Sequence, residues 1–202
     1  MRGYRRTIGV VGLLMMLASP AFSYRLIYKE QIYPLLHQQL YRYPEDYAEN
    51  IRWLELAMRA DFANPLYAIA RISNEREWDL YRNLFRMHLN LHFVDQYLGW
   101  AAGYTKFEAR FYNYPWRDQN LESLERAENL FEIARYYWDE ARRWSDEAAR
   151  TRWLHLEAVQ YWEDQSFRIQ AGDLDYGAII DRHAARLERV RADFERMDAS
   201  TY

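Results

Sequence analysis

The sequence predicts an all-α fold, and three observations carry the prediction. Seven glycines and five prolines in 202 residues leave few positions for hairpin turns. No segment sustains the apolar-polar alternation of a half-buried strand. Half of the residues are hydrophobic, enough for a core at this length, and long stretches space them three and four apart, as one face of a helix requires. The expected architecture is a set of antiparallel helical hairpins, stacked as a short array or packed as a bundle.

Residues 1–23 read as a signal peptide. "MRGYRR" is a basic start, and "SPAFS" ends in small residues suited to cleavage after Ser23. Between them, the eleven apolar residues of "IGVVGLLMMLA" fall short of the ~20 that span a bilayer. Residues 24–202 are then expected to be a single helical domain, periplasmic and without a transmembrane span. The chain has no cysteine, which removes disulfides, a lipid-modified cysteine and thiolate metal ligands. Loss of Arg2, Arg5 and Arg6 leaves 24 basic against 30 acidic residues, a sign that disfavours phosphate backbones, so no nucleic-acid partner is expected.

After a leading segment over 27–41, "YPEDYAENIRWLELAMRAD" carries Pro44 near a first turn, early acids, and Tyr47, Ile51, Leu54 and Met58 on one stripe. A short helix over 65–71 precedes Asn74 with Glu77 three residues on, a capping pattern opening a long helix through Leu98. That helix is apolar nearly all round and is the expected centre of the core. Gly99 and Gly103 suggest a kink or break, and Pro115 is expected to close the element "YTKFEARFYNY".

Over 120–149, Ala127, Ala134, Ala141 and Ala148 recur every seven residues and form a smooth seam. Leu130, Tyr137 and Trp144 flank it on one side, and Leu124, Phe131 and Trp138 on the other. Small residues between two large rows let a neighbouring helix interlock. A further helix over 150–170 shows two apolar faces, with Trp153, Leu156 and Phe167 on the second. Asp173 or Asp175 then caps a last helix whose stripe includes Tyr176, Ile180, Leu187, Val190 and Phe194, read as the cap of an array or as a dimer seam.

Trp53, Leu56 and Ala57 fit W-x-x-L-A, Ala134, Trp138 and Ala141 fit A-x-x-x-aromatic-x-x-A, and "RWLEL" and "RWLHL" recur 100 residues apart. These patterns resemble tetratricopeptide repeats, which implies stacked helical hairpins; a generic bundle with alanine seams accounts for them equally. "YPEDYAENIRWLELA", "EWDLYRNLFRMHLNL" and "FYNYPWRDQNLESLERAE" resemble exported helical-repeat proteins of spirochaetes, of the periplasmic flagellar collar type. The resemblance implies a structural component of a periplasmic machine.

His88, His92 and Asp95 lie at i, i+4 and i+7, so two imidazoles and a carboxylate share one helix face, the spacing of a metal site. The zinc-protease motif needs Glu after the first His, where this chain has Leu89. Histidines hydrogen-bonded in a crowded helix explain the pattern better. There is no Gly-rich phosphate loop and no serine elbow, and no catalytic residue or cofactor is expected. Paired acids such as Asp139 and Glu140 read as a solvated face, with Asp139 four residues before Arg143.

The expected function is therefore an exported protein–protein interaction scaffold that is not an enzyme. Its partner-binding candidates are Trp116, Arg117, Tyr136, Arg143, Trp153, Leu156 and Phe167, because Trp, Tyr and Arg dominate binding hot spots. The alternatives are a periplasmic metal-binding protein or metal-dependent enzyme using His88, His92 and Asp95, and a helical carrier of an apolar ligand.

Overall fold

A computed structural model describes residues 26–107, 112–151 and 153–201. Among them six helices pack into an all-α bundle: α1 (Lys29–Arg42), α2 (Tyr47–Arg59), α3 (Glu75–Ala102), α4 (Arg117–Ala149), α5 (Gln160–Ala171) and α6 (Tyr176–Glu195). The pairing of α3 with α4 is the most extensive. Helix α2 lies on α3, α1 on α2, α6 on α4, and α5 on both α3 and α4. No described helix is long and apolar enough to cross a membrane. The signal-peptide reading of 1–23 falls outside the described residues.

The α1–α2 hairpin is closed by two buried charges. Lys29 Nζ donates to the carbonyls of Ala57 and Met58 at 2.7 and 2.5 Å, satisfying the last turn of α2. Glu30 accepts from the Ala63 N–H at 2.8 Å and from Tyr81 Oη. Burial, with the Arg86 guanidinium adding to it, lowers the Lys29 ammonium to about 8.

Helix α3 begins as expected, the Asn74 side chain accepting from the Glu77 N–H at 3.0 Å while Glu77 accepts from the Ser73 N–H at 2.7 Å. Its residues are buried on nearly every side. It does not break at Gly99. A Cβ there would lie 2.6 Å from the Tyr47 ring, so the glycine admits α2 rather than bending α3, and the helix runs to Ala102. Residues 104–107 form no helix, and 108–111 lie outside the described residues. Pro115 sits in the 3-10 turn Tyr114–Trp116, which leads into α4, so it opens that helix instead of closing an earlier one. The expected helix over 65–71 is a single 3-10 turn, Pro65–Tyr67.

Helix α4 carries the alanine seam as read. Ala127, Ala134, Ala141 and Ala148 are buried, and the two flanking rows pack on different neighbours. Tyr137 stacks on Phe93 of α3 at 4.1 Å between centroids, and Arg86 of α3 lies over Trp144. On the other side Phe131 meets His183 and Trp138 meets Tyr176, both of α6.

Two further expectations need correction. The helix over 150–170 is not continuous: α4 stops at Ala149, and α5 starts only at Gln160 after the 3-10 turn Glu157–Val159. It ends at Gly172, which takes the left-handed φ of 80° that glycine adopts without penalty. The last helix is capped by Asp175, whose side chain accepts from the Ala178 N–H, but its stripe is no dimer seam. Ile180, Leu187 and Phe194 are buried in the chain's own core, with Tyr176 and Val190 packed beside them, because α4 already covers that face.

Candidate functional sites

Where α4 ends, the chain turns outward and leaves a groove of about 520 Å³ between α3, α4 and α5. Leu80 and Leu84 of α3 form part of its lining, as do Trp153 and Phe167, which are 86 % and 69 % exposed. Glu163 fixes the rim. Its carboxylate accepts from the Leu156 N–H at 2.6 Å and pairs with His155 Nδ1 at 2.5 Å, tying the turn to α5. Ser145 and Ser166 join α4 to α5 beneath it at 2.9 Å. The groove thus holds two large aromatic side chains toward solvent on a braced frame, an arrangement suited to receiving an apolar group.

The other partner candidates are placed differently. Leu156, expected beside Trp153, is 3 % exposed and belongs to the core. The break after Ala149 destroys the helical phase that would have put the two on one face. Arg117 donates through Nε to the Phe194 carbonyl at 3.0 Å and pairs with Asp118, so it serves the end of α6. Tyr136 is exposed and meets Tyr137 edge-on. Arg143 pairs with Glu140, not Asp139, and lies over Trp144 at 4.4 Å. Trp116 is exposed on the turn before α4, away from the groove lining.

A second cluster lies inside the bundle, where α1 and α5 meet α3. His88 is buried with its ring stacked on Trp162 at 5.1 Å. The Gln165 amide donates to Tyr161 Oη at 3.3 Å, which turns its Oε1 to His88 Nδ1 at 2.7 Å. Nδ1 therefore carries the proton and donates, leaving His88 Nε2 with one lone pair. Tyr33 Oη of α1 lies 2.9 Å from that nitrogen and His92 Nε2 lies 3.1 Å from it. Burial first, then the neighbouring His92, holds the His88 imidazole well below its ordinary value. Burial, then His37, lowers His92 to about 4.

Asp95 does not join the two histidines. Its carboxylate accepts from Tyr176 Oη of α6, and crowding raises it while that hydrogen bond opposes the rise. Among the described residues no three His, Asp or Glu side chains are grouped to hold a metal ion. The groups that do approach His88 and His92 are Tyr33 and Gln165, with His37 nearby, and sequence reading missed all three. The usable signal was that Tyr33 and His37 repeat on α1 the i, i+4 spacing of the α3 pair.

A family model described as "Domain of unknown function (DUF8513)" matches residues 76–197, covering α3 to α6 with both clusters' central residues and leaving α1 and α2 outside. No curated protein and no solved structure matches the chain.

Proposed function

The chain belongs to the DUF8513 family, and we propose that it is an exported scaffold that holds a partner protein at the groove rimmed by Trp153 and Phe167. The carrying observation is the exposure of two large aromatic side chains on a frame that Glu163 braces. Leaving such surface in water is unfavourable by about 25 cal/mol per Å², so a partner that covers it gains that amount back. Little ordering is needed on binding, because the rim is already fastened. Export rests on the reading of residues 1–23. The resemblance to spirochaetal collar proteins sets the proposed place of work at the periplasmic flagellar motor. The reading assigns the chain no reaction of its own.

A photo-crosslinking residue placed at 153 or 167, compared with one at the exposed Arg142 of α4, tests this in the native cell. One discrete crosslinked protein is expected from 153 and 167 and none from 142. Equal labelling at all three positions, or no discrete product at 153 and 167, contradicts it.

A further inference from the structure

We propose that Tyr33 and His37 of α1, together with His88 and His92 of α3, form a site for one divalent transition-metal ion of the zinc class. Helix α1 presents a phenol and an imidazole one turn apart, and α3 presents two imidazoles one turn apart. The donors already converge on His88 Nε2, with Tyr33 Oη at 2.9 Å and His92 Nε2 at 3.1 Å.

Counting protons shows why an ion suits this arrangement. His88 Nε2 has one lone pair, since its Nδ1–H is committed to Gln165. That lone pair accepts one good hydrogen bond, yet two groups crowd it. If His92 is the tautomer with a bare Nε2, two nitrogen lone pairs face each other. A metal ion accepts electron pairs from both imidazoles and from the Tyr33 oxygen at once, the phenolic proton now directed at His88 Nε2 being released to solvent as the ion enters. Ligands ~2.0–2.1 Å from a tetrahedral ion stand roughly 3.3 Å apart, so the donors need to spread by only a few tenths of an ångström.

The surroundings also match a metal site. His88 is oriented from behind by an amide oxygen, and that amide is itself held by Tyr161, the outer arrangement that fixes a ligating imidazole. His37 is exposed, its ring 6.3 Å from that of Tyr33. It does not share a centre with the other three in this structure; a different rotamer at this exposed position is required to supply it as fourth ligand. Asp95 is left with Tyr176. The ion would tie α1, which lies outside the family-matched stretch, to α3 within it.

The test is titration of the chelator-stripped protein with Co²⁺, which gives an intense visible band only when four-coordinate, followed by displacement with Zn²⁺. One ion per chain with micromolar or tighter affinity is expected. His37→Ala, at an exposed position, should weaken binding at least about tenfold with the fold kept, and Gln165→Leu should weaken it by ~10 to 100-fold. Asp95→Asn should leave the affinity unchanged. Absence of the four-coordinate band in the parent protein overturns the proposal. So does a band that survives His37→Ala at full affinity, or one that disappears in Asp95→Asn, which would place the ion on α3 alone.

Discussion

In the middle of α4, Tyr137, Trp138 and Trp144 are covered by α3 and α6, whereas Trp153 and Phe167, further along the same part of the chain, stand in solvent. Residue type does not distinguish them. What differs is the spacing beneath: four alanines at seven-residue intervals let neighbouring helices close on the first group. Beyond Ala149 the helix stops, the alanine spacing ends, and a groove lined by Trp153 and Phe167 stays open beside α5. Along α4 the aromatics beside the small residues are covered, while on α5 Trp162 is covered by α1 and α3 and Phe167, on its other face, is not.

The covered region should yield the largest effects. Trp162 is buried against Tyr33, Phe85 and His88, so Trp162→Ala should destabilise by about 3–5 kcal/mol. A denaturant midpoint close to that of the parent would show that the α1–α3–α5 junction is looser than described. Ala134→Leu or Ala141→Leu should force α3 or α6 off the seam at a cost of about 1–3 kcal/mol. Both variants melting like the parent would erase the distinction between the two halves of the comparison.

Acid should act on the covered region as well. His88 and His92 titrate below their ordinary 6.5 when folded, so below that pH the unfolded chain binds protons that the native chain refuses. Their contribution is complete above about pH 7 and declines as pH falls toward the folded value of about 4 for His92. Denaturant unfolding of the chelator-stripped protein at pH 7.5 and pH 5 should differ by about 2 kcal/mol from His92 alone, and His92→Gln should remove that part of the slope. A slope the same in parent and variant would mean that the fold does not hold His92 as a neutral imidazole.

The fold was legible wherever one helix face sufficed. The alanine seam, the Asn74 and Asp175 caps and the all-round burial of α3 follow from local spacing. Leu156 was misplaced because "ARTRWLHLEAVQYW" contains no glycine or proline to mark the break; a side chain seven residues away, Glu163, holds the turn by accepting the Leu156 N–H. The α6 stripe reads as the cap of an array or as a dimer seam because a single heptad face does not say whether its partner is another copy or the chain's own α4. Asp95 was grouped with the histidines by position on α3, yet Tyr176, 81 residues on, takes its carboxylate. Tyr33 reaches His88 across 55 residues, a pairing set by chain return and not by local pattern.

The central claim is that the exposed aromatics at the end of α4 and on α5 serve a partner and not the fold. The most direct measurement is the double variant Trp153→Ser, Phe167→Gln, assayed for thermal midpoint and for capture of the protein crosslinked at position 153. The account predicts a loss of about 0.5 kcal/mol or less, a shift of roughly 1–2 °C, with capture abolished. Unfolding of the variant, or undiminished capture by a stable one, would contradict it.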